Sequence, residues 1–296
     1  MPRTPRGAVT LAEEGPRTPR QRRGAALLTV VLLGVVGTAG YLGVRHLTAL
    51  AAGEECRVTA SEQTFEWAPD QASNAAAITA IAVKRGLPPR AATIAIATAM
   101  QESKVRNVRF GDRDSLGLFQ QRPSQGWGTA EQILNPEYST NKFYDALVKV
   151  EGYTDMDIAE AAQAVQRSAA GEAYAQHEPQ ARVTASVLSG QTARGIGCTL
   201  EDPSGSGDPE AVAALVEKDF GISGDAGDKR VTVVTESDDA AWAVASWAVA
   251  RATDTNAVRV EVGDRRWERS MDESSFAWQP LGDAAGDARS VTIHLA

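Results

Sequence analysis

The stretch PPRAATIAIATAMQESK, residues 88–104, decides the fold of this chain. Its prolines stand where the first turn of a helix tolerates them, and the Ala, Ile and Met that follow leave almost no polar face. A helix of this composition must be buried, so we expect it at the centre of a helical core. It ends in Glu102 and Ser103, where the apolar surface stops.

The segments around this stretch predict a mostly α domain. A helix is expected over residues 71–86, with Asp70 as N-cap and Gly86 as the C-terminal stop. Residues 105–129 are rich in Gly, Asp and Arg, which favours an irregular loop or a short hairpin. Further helices are predicted near residues 129–134, 136–150, 156–168 and 178–188.

The residues after the second cysteine have a different pattern. TLEDPSGSGD, residues 199–208, combines Pro, Ser and Gly without apolar periodicity and predicts a flexible linker. Residues 209–296 then alternate helical and strand-like segments, and Gly263-Asp264 is a two-residue hairpin signal. We predict a small α+β accessory domain there, with a protein of the cell envelope as its candidate partner.

The N-terminal region predicts a membrane anchor. Residues 1–23 form a basic tail with six arginines and two glutamates, and residues 24–44 hold no charge over a length that spans a bilayer. Arginine on the N-terminal flank keeps the tail in the cytoplasm. We therefore expect a single-pass protein of the cell membrane, with a short stalk over residues 45–61 and an extracytoplasmic body.

Two further signals concern the compartment. The A-x-A sequence at residues 49–51 fits a signal peptidase, so secretion after cleavage is the alternative to an anchor. Cys56 and Cys198 lie 142 positions apart and bracket one segment, which predicts a disulfide formed in an oxidising compartment; two free thiols are the alternative. Closing so long a loop would stabilise the fold by at most about 5 kcal/mol.

The composition argues against several classes of protein. Thirty Lys and Arg residues against 38 Asp and Glu residues give a net charge of −8, which does not suit a surface for nucleic acid. Two cysteines and three widely separated histidines cannot form a clustered zinc site. We expect no nucleic-acid partner, no metal and no cofactor.

Glu102 is the residue that points to chemistry. Its helical neighbours are apolar, so desolvation is expected to raise its pKa and keep a proton available near neutral pH, as a general acid for glycosidic cleavage requires. The alternative is that Glu102 caps the helix end or pairs with Lys104 or Arg106.

The order of three short motifs resembles a known family. QES at residues 101–103, SLGLFQ at residues 115–120 and the helix start at Asn135-Pro136 are similar to the soluble lytic transglycosylase and goose-type lysozyme group of the lysozyme-like superfamily. That group has a buried helix ending in Glu-Ser and then Gly-Leu-Met-Gln, and this chain has Phe119 in place of the Met. The loop sequence also resembles that of exported actinobacterial proteins with a lysozyme-like domain.

This resemblance covers roughly residues 62–190 and implies a lysozyme-like domain, with expected bounds 62–198, that binds peptidoglycan glycan strands in a cleft. It implies that Glu102 protonates the glycosidic oxygen between N-acetylmuramic acid and N-acetylglucosamine. It also implies that Ser103 and Gln120 support the glutamate and the substrate.

The chain departs from the family at its third motif. Tyr-Asn-Ala-Gly is usual on a later helix, and the nearest matching stretch, residues 164–169, is AVQRSA, in which Gln166 could still donate a hydrogen bond. The chain is therefore expected to be a peptidoglycan-cleaving glycosidase or, alternatively, a non-catalytic peptidoglycan-binding or envelope scaffolding protein.

The choice between hydrolysis and transglycosylation depends on a second carboxylate, which an inverting hydrolase needs to activate water. Asp112 and Asp114 are the candidates, although each is equally suited to form a turn or to pair with a loop arginine. Trp127 stands between two glycines and is the aromatic residue best placed to stack on a sugar.

Overall fold

The structure is a computed structural model that describes residues 53–166, 171–282 and 286–296. Residues Glu54–Ala296 form one compact unit. The predicted basic tail, the uncharged segment 24–44 and the A-x-A sequence lie outside the described residues. Within the described residues, no helix is long and apolar enough to cross a membrane.

Helices make up most of the regular structure. The described residues contain nine α-helices: α1 (Pro69–Lys84), α2 (Pro89–Ser103), α3 (Ala130–Ile133), α4 (Pro136–Leu147), α5 (Ile158–Gln166), α6 (Glu178–Leu188), α7 (Pro209–Phe220), α8 (Asp238–Ala250) and α9 (Ala252–Thr255). Short 3-10 helices cover Pro123–Gln125, Gly171–His177 and Glu273–Phe276.

The strands form two antiparallel sheets. The smaller sheet has the order β2-β1-β3 and consists of β1 (Glu55–Ala60), β2 (Gln63–Trp67) and β3 (Ile196–Thr199). The larger sheet has the order β4-β5-β9-β6-β7-β8 and consists of β4 (Gly224–Gly227), β5 (Arg230–Val234), β6 (Ala257–Val262), β7 (Arg265–Glu268), β8 (Gln279–Pro280) and β9 (Ser290–Leu295).

The prediction of a mostly α lysozyme-like domain is wrong, whereas the predicted transmembrane segment 24–44 lies outside the described residues. The structure is about 46% helix and 19% strand, and it has one sheet of three strands and another of six. Strands β1 and β2 form a hairpin, but the pairing of β1 with β3 has no local signal, because β3 lies far along the chain and all four of its residues are buried. A fully buried short strand lacks the period-two alternation that reveals strands in a sequence.

The predicted disulfide is confirmed. Cys56 on β1 and Cys198 on β3 are directly opposite each other in the strand register and are covalently joined, so the described residues hold no free cysteine. Both cysteines are buried. A disulfide in this position is typical of proteins that fold in an oxidising compartment outside the cytoplasm.

Helix α2 lies in the core, as its composition predicts. Its side chains from Ala91 to Ala99 are buried, and Ile94 and Ile96 are completely inaccessible to solvent. It packs against α1, α4, α5, α6 and the 3-10 helix Gly171–His177. The buried helix positions its last turn, with Glu102 and Ser103, at the edge of the core.

The segments before and after residues 199–208 pack against each other in the compact unit. Lys218 at the end of α7 forms an ion pair with Glu137 on α4 at 3.3 Å. The Trp278 indole donates a hydrogen bond to the Ile196 carbonyl over 2.8 Å. Leu200, inside the predicted linker, is itself buried.

Candidate functional site

The chain reverses sharply after Glu102. Lys104 and Val105 both have φ near 56°, in the left-handed region that a β-branched, buried residue such as Val105 rarely adopts. The amide of Val105 bonds back to the Ala99 carbonyl over 2.9 Å, and that of Lys104 to the Met100 carbonyl over 3.1 Å. Consecutive residues of this kind are strained and persist where the surroundings hold them.

Helix α1 supplies that support. The side-chain amide of Gln71 donates to the Lys104 carbonyl over 2.7 Å, and that of Asn74 donates to the Val105 carbonyl over 2.9 Å. Both strained residues therefore have their carbonyl groups bound by one helix. This arrangement fixes the direction in which the end of α2 presents Glu102.

The arginine of this turn has its own partner. Arg106 forms an ion pair with Asp70 at 2.7 Å, and Asp70 is not the N-cap that the sequence predicts, because the helix begins at Pro69. The N-cap of α1 is Ala68, whose amide is bound by the Gln71 side chain over 3.1 Å. Within the described residues Glu102 forms no ion pair, so the alternative that it pairs with Lys104 or Arg106 is not observed.

The phenol of Tyr174 holds the Glu102 carboxylate. Tyr174 lies in the 3-10 helix Gly171–His177 with only 1% of its surface exposed, and its hydroxyl donates to Glu102 Oε1 over 2.6 Å. Glu102 itself is half-buried. Sequence reasoning missed this tyrosine because it compared residues 164–169 with the family motif and not GEAYAQH, which follows a few residues later.

Ser103 and Gln166 tie two helices to the loop between them. The Ser103 hydroxyl donates to the Leu118 carbonyl over 2.7 Å, and the Gln166 side-chain amide donates to the Phe119 carbonyl over 2.7 Å. Because these carbonyl groups are consecutive, the ends of α2 and α5 lie side by side across the segment SLGLFQ. Phe119, at the position of the family's Met, is buried and stacks on Phe143 with ring centroids 4.6 Å apart.

Gln120 lies in the same segment but bonds within the loop. Its φ is 47°, and its side-chain amide is 3.3 Å from the Gly117 carbonyl, which accepts the hydrogen bond. A Cβ atom at Gly111 would lie 1.7 Å from Gln120 Oε1, so only glycine at position 111 leaves room for this side chain. No hydrogen bond joins Gln120 to Glu102 among the described residues.

Of the two candidate second carboxylates, Asp114 is fully engaged. Arg122 Nε donates to it over 2.7 Å, and the amide and hydroxyl of Ser124 donate over 2.8 and 3.0 Å. The Arg122 guanidinium and the Ser124 hydrogen bonds hold the pKa of Asp114 well below its usual range. Asp112 is 89% exposed and lies 3.7 Å from Arg113. Asp114 therefore orders the loop and is a weak base.

Trp127 lines a cavity of about 660 Å³. The cavity lies between α4, α5 and the loop at Gly126, and Gln166 forms part of its wall. The Trp127 ring is half-buried and packs on the core. The structure thus brings Trp127 and Gln166 together, and Gln166 connects them to the end of α2.

The residue before Glu102 also has polar neighbours. Gln101 Oε1 lies 3.0 Å from His177 Nε2 and accepts a weaker hydrogen bond of 3.4 Å from Gln176. Burial lowers the pKa of His177, which favours its neutral imidazole. Within the described residues, no three His, Cys, Asp or Glu side chains are grouped so that they could hold a metal ion.

Comparison with known proteins adds no family assignment. No protein-family model matches the chain, and a search of the curated proteins also finds no match.

Proposed function

We propose that this protein cleaves the glycan strands of peptidoglycan, with Glu102 as the proton donor to the glycosidic oxygen. The observation that carries the proposal is the hydrogen bond between the Tyr174 hydroxyl and the Glu102 carboxylate at the end of a buried helix. A half-buried carboxyl group in a fixed orientation, on a helix end that Ser103 connects to the loop bound by Gln166, suits general acid catalysis on a sugar. The family resemblance supplies the substrate class.

The state of the aspartates favours transglycosylation over inverting hydrolysis. An inverting enzyme needs a second carboxylate to take a proton from water. Asp114 accepts three hydrogen bonds and holds a proton weakly, and Asp112 is exposed at the surface. Glu102 is therefore the carboxyl group that we assign to both proton transfers.

In the proposed reaction Glu102 gives its proton to the glycosidic oxygen as the bond from that oxygen to C1 breaks. This C1 belongs to the N-acetylmuramic acid. The C6 hydroxyl of that sugar then attacks C1 and passes its proton to the Glu102 carboxylate. The new C1–O bond closes an anhydro ring, and Glu102 returns to its protonated form. No water is consumed, so the reaction balances without a further reactant.

The compartment agrees with this substrate. Peptidoglycan lies outside the cytoplasm, and the Cys56–Cys198 disulfide is of the kind that forms there. We propose that the folded body is exported and acts in the cell envelope or after secretion.

A second candidate function is glycan binding without turnover. It is favoured by three side chains that the sequence predicts to bind the substrate, because Ser103, Gln120 and Gln166 all donate hydrogen bonds to backbone carbonyl groups of the loop. A cleft whose polar groups are engaged within the protein has fewer of them for the sugar.

Digestion of purified peptidoglycan by the full-length chain separates the two candidates. Glu102→Gln keeps the shape of the side chain and removes the proton, and we expect the release of soluble muropeptides to fall at least about a hundredfold. Glu160→Gln, at an exposed position on α5, is the matched control and should release as much as wild type. Sedimentation of wild type with peptidoglycan without any release would favour the binding function.

A further inference from the structure

The wall of the cavity beside Trp127 carries three charged side chains. Lys142 on α4 is half-buried, Lys149 follows the end of that helix and is exposed, and Asp145 lies between them in the sequence. The Lys142 ammonium lies 5.5 Å from the centre of the Tyr138 ring, which is within range of a cation–π contact. Both lysines therefore line the same cavity as Trp127 and Gln166.

The negative charge in this wall is already compensated. Asp145 forms an ion pair with Arg85 at 2.8 Å, and Arg85 also donates to the Asn141 carbonyl over 3.1 Å. Among the described residues neither Lys142 nor Lys149 forms an ion pair. The chain as a whole has a net charge of −8, so two uncompensated cations at one cavity run against its overall charge.

The cavity is linked to the proposed reaction site through the loop at Leu118 and Phe119, and Glu102 itself is not one of its lining residues. Gln166 in its wall binds the Phe119 carbonyl, and Ser103 beside Glu102 binds the preceding carbonyl of Leu118. A ligand in the cavity therefore contacts Gln166, which holds the loop next to the end of α2. An aromatic ring offers an apolar face to a sugar, and a lysine ammonium is a compact charge that pairs with a carboxylate.

From this arrangement we infer that Lys142 and Lys149 bind a carboxylate carried by the glycan strand while its sugar ring packs on Trp127. The inference rests on the proposed function and names the part of the substrate that the cleft recognises. Two groups supply such a carboxylate in peptidoglycan: the lactyl ether of a muramic acid that carries no peptide, and the peptide stem where one is attached. The lysines make the site selective for acidic glycans over neutral ones of the same length.

Three soluble oligosaccharides of equal length test this selectivity. A chitin oligosaccharide has no carboxylate, a glycan strand stripped of its peptides has lactyl carboxylates, and an intact strand has peptide carboxylates. Binding is measured by titration calorimetry on the full-length chain carrying Glu102→Gln, so that no ligand is cleaved. We expect Lys142→Gln and Lys149→Gln each to weaken the binding of one or both acidic ligands. The variant with both substitutions should lose about tenfold in that affinity. The affinity for the chitin oligosaccharide should stay unchanged.

Two control variants keep the result specific. Lys229→Gln removes a positive charge from an exposed position on the turn between β4 and β5, and it should leave all three affinities unchanged. The combined substitution Lys142→Arg and Lys149→Arg keeps the charges and should retain most of the preference for acidic ligands. Raising the salt concentration should reduce that preference, because exposed ion pairs are screened.

Several outcomes would overturn the inference. The first is that the protein binds none of the three ligands. The second is that the protein with both lysines intact binds chitin and the two acidic glycans with equal affinity. The third is that the double Gln variant loses the same factor of affinity for all three ligands. The acidic ligand that responds to the Gln variants identifies whether the lactyl or the peptide carboxylate is bound. This experiment measures binding alone, so it is independent of cleavage. If the protein proves unable to cleave glycan, the proposed function is refuted, and the three affinities still decide the present inference.

Discussion

Tyr174 and Glu102, 72 positions apart in the sequence, meet in a hydrogen bond of 2.6 Å from the phenol hydroxyl to Oε1. The phenol ring is almost completely buried, so its position is set by packing and not by solvent. A rigid donor on one carboxylate oxygen fixes the plane of the carboxyl group. In the proposed mechanism this fixed plane aims the other oxygen at the substrate.

Removing the phenol hydroxyl should therefore impair catalysis more than binding. For Tyr174→Phe we expect turnover to fall by about tenfold to a hundredfold with little change in KM, because the carboxyl group loses its orientation. The free energy of unfolding should fall by about 1 to 3 kcal/mol. Steady-state kinetics on soluble glycan strands and chemical denaturation measure the two effects. Tyr153→Phe, which leaves Glu102 untouched, is the control, and unchanged turnover in Tyr174→Phe would contradict the assigned role.

The disulfide should contribute a large part of the stability. Joining Cys56 to Cys198 closes a loop of 142 positions, and we expect its removal in a Cys56→Ala, Cys198→Ala variant to lower the free energy of unfolding by about 3 to 5 kcal/mol. Denaturant titrations of both proteins, with and without a thiol reductant, measure the loss. The reductant should destabilise wild type and have no effect on the double variant, and an equal effect on both would show that the loss has another cause.

Asp114 makes the stability depend on pH in the acid range. Its pKa in the folded state is lowered by Arg122 and Ser124, whereas an unfolded aspartate titrates near about 3.9. The folded state therefore binds fewer protons, and the contribution of Asp114 is fully present above the unfolded pKa and lost as the pH falls towards the folded one. The difference in stability between wild type and Asp114→Asn should be constant from neutral pH to about pH 5 and shrink below about pH 4.

The same variant separates two roles for Asp114. If Asp114 only orders the loop, Asp114→Asn should retain glycan cleavage at neutral pH, with a lower melting temperature. Complete loss of cleavage in a variant that is still folded would instead identify Asp114 as the base of an inverting hydrolase.

His177 should also make the stability depend on pH, at higher pH values than Asp114 does. Burial lowers its pKa, so the unfolded state binds the proton more readily than the folded state does. The neutral imidazole is then favoured by folding, and stability should decline as the pH falls below about 6.5. His177→Gln removes the titrating group and keeps a donor for Gln101. Melting temperatures between pH 5 and pH 8 should converge or cross for the two proteins, and parallel curves would exclude a contribution from His177.

The sequence predicts the parts of this structure that depend on local pattern. Helix α2 is visible because its apolar residues are contiguous, and Glu102 stands out because it ends that run. The pairing of β1 with β3 is not visible, because it joins residues from the two ends of the helical segment and β3 has no alternation. The contact between Tyr174 and Glu102 is also not visible in the sequence, because it comes from the packing of a 3-10 helix that is distant along the chain.

For the candidate site, the sequence predicts the position of the loop motif but not the hydrogen bonds that its residues form. The motif that contains Leu118 and Phe119 was found from its order in the sequence, but the roles of its neighbours depend on hydrogen bonds that the pattern does not encode. Ser103 and Gln166 bind consecutive carbonyl groups and so hold the loop, whereas the resemblance assigns Ser103 to the glutamate and substrate.

The masses of the products that the full-length chain releases from purified peptidoglycan test the central claim most directly. The account predicts muropeptides with anhydro ends, each lighter by one water than the hydrolysed form, from wild type and almost none from Glu102→Gln. Fragments with ordinary reducing ends would contradict the assignment of both proton transfers to Glu102. Equal release by the two proteins, or no release by either, would contradict the assignment of Glu102 as the catalytic acid.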